Sequence, residues 1–231
     1  MLAIIPARGG SQGIPNKNIV QLGSVPLIAY SIYAARQSNK IDKVVVSTDS
    51  NEIGDIATQW GAQVIDRPSD ISGPDSPTES ALIHAIDSLS STGYIPSYCM
   101  LLQPTSPFRN PDSIDNAIST LLDNNFDSLL SAEPSHISLW NIGESTAQPH
   151  YDFKNRIMRQ DSIGHQHREN GSIYAFSTDL LRQTNNRLGG RIGIHKSTEL
   201  ESLEIDTAFD LWMCRQVIDN NIWKHTLPHI E

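Results

Sequence analysis

The chain has 231 residues, 38% hydrophobic and 19% charged, and its 17 Lys and Arg against 26 Asp and Glu give a formal charge of -9. That length can bury one well-formed core, the composition excludes an intrinsically disordered chain, and the acidic balance argues against non-specific binding to nucleic acid or to an anionic membrane. Cys99 and Cys214 are the only cysteines and fall in apolar or helical patterns, so they read as buried reduced thiols and provide no disulfide framework or cysteine zinc site. The first apolar stretch, about five residues, is too short for a signal segment, and none approaches a bilayer span. The expectation is a cytoplasmic protein with no nucleic-acid and no membrane partner.

Ala3–Ala7 reads as a buried strand running into a loop with Arg8, Gly9, Gly10, Ser11, Gly13 and Lys17. Glycines let a backbone turn tightly and aim several N–H groups at one anion. Arg8 and Lys17 add full charges, and no acidic residue precedes Asp42. A polyphosphate site after a strand is one reading; a purely structural turn is the other. The spacing fits neither the P-loop nor the dinucleotide fingerprint.

Pro26–Gln37 reads as a helix with proline in its first turn. Lys43–Ser47 reads as a strand, followed by a helix to Trp60 capped by Asp49 or Ser50. Gln63–Ile65 is a short strand that leads to Arg67-Pro68, a nucleotide contact or a solvated turn. Ser76-Pro77-Thr78-Glu79 has the form of a capping box, opening a helix to about Leu89. Tyr98–Leu102 (strand), the proline-stiffened loop Gln103–Pro111, Ser113–Asn124 (helix) and Ser128–Ala132 (strand) follow. The alternation fails from about Ser135 to Arg168. It resumes with strands at Gly171–Phe176 and Arg191–His195 and a last helix to about Asp219, capped by Thr207 with Asp210 at its third position.

This order predicts an α/β fold, a single domain over residues 1–231 with a mostly parallel sheet flanked by helices and ligands beyond the strands' carboxyl ends. The irregular stretch, approximately 135–170, reads as an excursion serving as a lid or subunit contact.

Glu204-x-Asp206 lies between a strand and a helix, where alternation turns both carboxylates to one face. Such a pair suits Mg²⁺, which takes a few carboxylates plus substrate phosphate oxygens; alternatively, Asp206 is a helix cap. Gln103, Thr105, Ser106 and Arg109 offer donors for a hydroxylated, carboxylated small molecule, and Arg109 could pair with a carboxylate. Asn170-Gly171-Ser172 offers an amide at a strand edge. His165-x-His167 has a weak metal-binding pattern without further ligands in evidence.

Taken in order, Ala3-Ile-Ile-Pro-Ala-Arg-Gly-Gly-Ser11, Ile14-Pro, Lys17-Asn18, Val45-Val-Ser-Thr-Asp49, Gln103-Pro-Thr-Ser-Pro107, Glu169-Asn-Gly-Ser-Ile-Tyr174 and Ile205-Asp-Thr207 resemble the CMP-sialic acid synthetases, the acylneuraminate cytidylyltransferases, which also serve nine-carbon acids such as legionaminic acid. The matches run from residue 3 to about residue 212, nearly the whole chain.

The resemblance implies a Rossmann-like nucleotidyltransferase sheet, transfer of CMP from CTP to the anomeric hydroxyl of a nonulosonic acid with release of pyrophosphate, Mg²⁺ as cofactor, and a homodimer. It implies that Arg8, Lys17 and the backbone N–H groups around Gly9, Gly10 and Ser11 hold the CTP phosphates, with Asn18 and Arg67 seating the nucleotide and Ala7 among the nucleotide-binding residues. Gln103, Thr105, Ser106 and Asn170 would contact the sugar acid, Asp206 would ligate Mg²⁺ with Glu204 as its partner, and Arg8, Lys17 and Asp206 would carry catalysis. The excursion would lie against the second subunit. Two residues depart from the pattern: Gln12 stands where the family commonly has lysine, and Glu204 where aspartate is common. A nucleotidyltransferase for another sugar acid and a catalytically weakened nucleotide-binding protein are the competing readings. A Rossmann oxidoreductase is disfavoured by the missing fingerprint.

Overall fold

The computed structural model describes residues 1–11, 13–158, 166–224 and 227. Gln12 and His165 lie outside them, so the lysine-to-glutamine departure and the His165-x-His167 pair have no structural account. In chain order the strands are β1 (Leu2–Pro6), β2 (Gln21–Leu22), β3 (Val25–Pro26), β4 (Lys43–Thr48), β5 (Gln63–Asp66), β6 (Tyr98–Leu102), β7 (Ser128–Pro134), β8 (Trp140–Ile142), β9 (Ala147–Pro149), β10 (His167–Ser177) and β11 (Ile192–Lys196). The helices are α1 (Leu27–Gln37), α2 (Asn51–Gln59), α3 (Thr78–Ser90), α4 (Pro111–Asp123), α5 (Thr178–Thr184) and α6 (Ala208–Asp219).

Seven strands form one sheet in the order β11-β7-β10-β6-β1-β4-β5. β1 pairs in parallel with β4 and β6, and β4–β5 and β7–β11 are also parallel. β10 alone is antiparallel to its neighbours, with Ile173 opposite Leu102 on one side and Tyr174 opposite Leu130 on the other. The expected mostly parallel α/β sheet is therefore present, with one reversed strand that the strand–helix alternation did not announce.

Alternation along β1 splits the core. Ala3 and Ile5 face the layer built on α1, α2, α4 and α6, with Ile32, Ala57, Ile118 and Cys214. Leu2 and Ile4 face the other layer, with Leu82 and Ile86 of α3 and Leu181 of α5. Each such buried leucine or isoleucine contributes roughly 1.5–3 kcal/mol. Cys99 and Cys214 are buried free thiols, and burial pushes them up to about 11 and about 12. Among the described residues, no helix is long and apolar enough to cross a membrane.

The caps decide which polar side chains remain for function. Ser50 caps α2 by accepting from the Ile53 N–H, so Asp49 is left to accept from the Gly9 N–H at 2.9 Å. Thr207 and Asp210 form a reciprocal capping box on α6, so Asp206 is not the cap. The box expected at Ser76–Glu79 does not form: Pro77 is the N-cap of α3, without a side-chain cap, and Glu79 pairs instead with Arg187 at 2.6 Å.

The excursion carries the hairpin β8–β9. Trp140 packs edge-on to Tyr151 at 5.9 Å and tilted to Phe153 at 6.1 Å, while Ile137, Leu139, Ile142, Ile157 and Met158 stay exposed.

Candidate active site

The chain changes direction across the sheet at β1. β4 and β5 lie on one side of it and β6 on the other, which opens a crevice beyond the strands' carboxyl ends. A cleft of about 480 Å³ occupies that place. Its walls include Arg8, Ser11, Gly13, Lys17 and Asn18 after β1, Arg67 after β5, Gly73 to Ala81 around the start of α3, Gln103 to Thr105 after β6, and Asp206 before α6.

The first loop is tied down on several sides. Arg8 donates through Nη1 to the Gly73 carbonyl at 2.6 Å, and the buried Asn18 amide donates to the Arg8 carbonyl at 2.9 Å. Lys17 Nζ lies 2.9 Å from Asp206 Oδ1, with the lysine side chain 15% exposed and the aspartate 64%. Gly13 lies so close to the Asp206 carbonyl that a Cβ there would sit 2.6 Å from its oxygen, so glycine permits this approach of the two loops. Arg67 donates to the Ser47 hydroxyl at 3.1 Å and to the Ser47 carbonyl. Burial lowers its pKa, opposed by Asp49 and reinforced by the charge of Arg8.

On the other wall, the Thr105 hydroxyl donates to Glu204 Oε1 at 3.1 Å, and the Ile205 N–H donates to the Thr105 carbonyl at 2.9 Å. This stitches the loop after β6 to the Glu204–Asp206 segment. Burial raises the Glu204 pKa, with the Asp206 charge adding to it, while Thr105 and Lys17 act the other way. Glu204 opens on a smaller neighbouring cavity of about 300 Å³ that also meets Arg168, Asn170 and Asp210; Asp206 borders both spaces.

Of the residues singled out in the sequence, Arg8, Ser11, Lys17, Asn18, Arg67, Gln103, Thr105 and Asp206 are thus brought to one cleft. Ala7, Gly9 and Gly10 belong to the same loop without lining it; Ala7 is buried and Gly10 exposed. Ser106 is fully buried. Asn170 is buried with its amide engaged: its oxygen accepts from the Ser131 hydroxyl at 2.6 Å and the Ser172 N–H, and its nitrogen donates to Ser202 at 2.8 Å. Arg109 meets no carboxylate of a ligand-facing kind, because it too is buried, at 1% exposure. The sequence reading missed the wall from Gly73 to Ala81; its signal, Ser76-Pro77-Thr78, was read only as a helix start. It also missed the contact between Asp49 and Gly9.

Fold and cleft define an α/β protein with an open crevice at the switch point of a mostly parallel sheet. Solved structures share this fold. That of CMP:2-keto-3-deoxy-manno-octonic acid synthetase complexed with CTP superposes with a TM-score of 0.72 at 15% identity, covering 95% of this chain and 98% of that one. A 4-diphosphocytidyl-2C-methyl-D-erythritol synthase reaches 0.72 at 14% identity, covering 94% and 97%.

The cytidylyltransferase family model matches residues 2–214, and the chain belongs to that family. Among curated relatives, the CMP-N,N'-diacetyllegionaminic acid synthase of Legionella pneumophila is 42% identical over 119 residues, 51% of each chain. The N-acylneuraminate cytidylyltransferase A of Danio rerio is 34% identical over 213 residues, 90% of this chain and 48% of that protein. The post-translational flagellin modification protein B of Campylobacter coli is 28% identical over 218 residues, 91% of each. The chain spans about half the length of the first two relatives.

Proposed function

We propose that the protein transfers CMP from CTP to the anomeric hydroxyl of a nonulosonic acid of the sialic or legionaminic type, releasing pyrophosphate. The observation that carries this reading is the cleft itself, where the basic loop with Arg8 and Lys17 faces the Gln103–Thr105 loop and Asp206 across the switch point. The relatives named for legionaminic and acylneuraminic acids favour this acceptor class.

The acceptor hydroxyl attacks the α-phosphorus in line with the departing pyrophosphate, and negative charge grows on the leaving oxygens. Arg8 and Lys17, both on the cleft wall, would offset that charge. Asn18 keeps the Arg8 backbone in position through its carbonyl, and Arg67 closes the nucleotide side. Gln103 and Thr105 offer an amide and a hydroxyl to the sugar acid.

Mg²⁺ needs only one or two carboxylates when phosphate oxygens complete its shell. Asp206, largely exposed on the cleft wall, fits that need, with Glu204 two residues away as its partner. The ion would neutralise phosphate charge in the ground and transition states. The setting proposed is cytoplasmic and the assembly a homodimer, in which a second copy of the chain would cover the exposed apolar arm around Trp140 and Ile142.

The test is pyrophosphate release from CTP and Mg²⁺ with a panel of nonulosonic acids. Release with one acid and CTP, and not with ATP, supports the reading. No release with any acid, despite measurable CTP binding, sinks it in favour of another acceptor or a binding protein without turnover.

A further inference from the structure

Arg109 is the largest fully buried side chain among the described residues. Its guanidinium donates to four acceptors: Nε to the Ser172 hydroxyl at 3.1 Å, Nη1 to the Ser31 hydroxyl at 3.1 Å, and Nη2 to the Gln103 carbonyl at 3.1 Å and the Ser172 carbonyl at 2.6 Å. None of these is a carboxylate. Glu201 is the acid whose field reaches it, raising a pKa that burial holds down to about 9. The Glu201 carboxylate is itself occupied by Ser113 and Thr198. A cation enclosed by neutral acceptors is a costly way to fill a core, where an apolar side chain of similar volume would cost less.

What the guanidinium achieves is geometric. It joins α1, through Ser31, to both ends of the loop after β6, through Gln103 and its own backbone, and to the middle of the reversed strand β10, through Ser172. Gly171, next to Ser172, has φ of +70°, and a Cβ there would stand 2.7 Å from Gln103 Oε1 and 3.2 Å from Glu204 Oε1. The Gln103 amide and the Glu204 carboxylate therefore rest against bare backbone at Gly171. One planar fork sets both the root of Gln103 and the shelf on which its amide lies.

We propose that Arg109 is a positioning residue for the acceptor half of the cleft: by holding the Gln103 carbonyl and Ser172 together, it fixes the Gln103 amide towards the hydroxyl and carboxylate groups of the sugar acid. The acceptor part of this inference rests on the function proposed above; the placement of the amide does not. Lysine retains the charge at this position but cannot supply the fork.

The experiment has two readouts. In ¹H–¹⁵N spectra of the ligand-free protein, the Gln103 side-chain amide is assigned by its loss in Gln103→Leu, and the Asn18 amide, bonded to the Arg8 carbonyl, serves as the reference. In Arg109→Lys the Gln103 resonance is expected to shift and its protons to exchange faster with water, while Asn18 stays in place. In steady-state assays, Arg109→Lys should raise the KM for the sugar acid about 10-fold, the scale of one lost hydrogen bond, and leave the KM for CTP unchanged. Adding Gln103→Ala to Arg109→Lys should cost nothing further. An unmoved Gln103 resonance overturns the proposal, as do equal rises in both KM values or strictly additive losses. Should Arg109→Lys not fold, Ser31→Ala and Ser172→Ala each remove one acceptor hydroxyl and are read in the same way. If the unaltered protein transfers CMP to no acid, the functional reading fails, and the amide resonance still decides the role of Arg109.

Discussion

Lys17 and Asp206, 189 residues apart in the chain, meet with Nζ 2.9 Å from Oδ1 on the wall of the cleft. With the aspartate mostly in solvent, such a pair contributes no more than about 1 kcal/mol to folding. A contact so weak is readily exchanged for a phosphate oxygen on one side and a cation on the other. Lys17→Ala should therefore leave thermal stability nearly unchanged while turnover falls on the order of 100-fold, the effect of removing one donor to developing negative charge. Steady-state kinetics beside a melting curve measures both, and unchanged turnover would remove Lys17 from the catalytic set.

Asp206 and its neighbour Thr207 separate two roles that one position often combines. Because Thr207 holds the α6 cap, Asp206→Asn should flatten the Mg²⁺ dependence of pyrophosphate release without moving the melting temperature. Thr207→Ala should do the reverse. It should cost about 1 kcal/mol of stability, a fall of roughly 2–4 °C in Tm for a chain of this size, with the Mg²⁺ titration unaltered. A normal Mg²⁺ titration in Asp206→Asn would count against metal ligation.

His195, on β11, is buried, and burial lowers its pKa, opposed by Glu201. Its folded-state value lies below the ordinary 6.5, so the unfolded chain takes up the proton first as pH falls. The stability tied to the neutral ring is complete above that ordinary value and is lost as pH drops through it towards the folded value. His195→Gln should therefore narrow the difference in Tm between pH 8 and pH 5. Melting curves at both pH values check this, and an unchanged difference would show that acid sensitivity arises elsewhere.

The exposed Ile142 on the β8–β9 hairpin is the probe for self-association. If this arm meets a second copy, the protein sediments as a dimer and Ile142→Asp sediments as a monomer. A monomeric parent would withdraw the homodimer.

Strands and helices were legible in the sequence because apolar runs at Ala3–Ala7, Lys43–Ser47 and Tyr98–Leu102 alternate with amphipathic segments, and the structure places strands within a residue or two of each. The direction of β10 was not legible. Buried strands read alike whichever way they run, and Ile173–Phe176 carries no mark of antiparallel pairing with Leu102. Much of the cleft was also readable, since Arg8, Lys17, Gln103 and Asp206 lie at strand ends. The burial of Ser106, Arg109 and Asn170 was hidden, because a polar stretch looks the same whether its side chains face a ligand or the protein interior. Asp49 and Glu79 show the same limit: each fits a cap pattern, and each is used by a partner far along the chain, Gly9 and Arg187.

The pairing of residue 17 with residue 206 also sets an order of assembly. During synthesis the basic loop emerges well before Asp206, which follows only after β11 has been made. Any nascent or truncated chain that stops short of residue 206 can display Arg8 and Lys17 but lacks the carboxylate that faces them. The complete site becomes available only once residue 206 has left the ribosome.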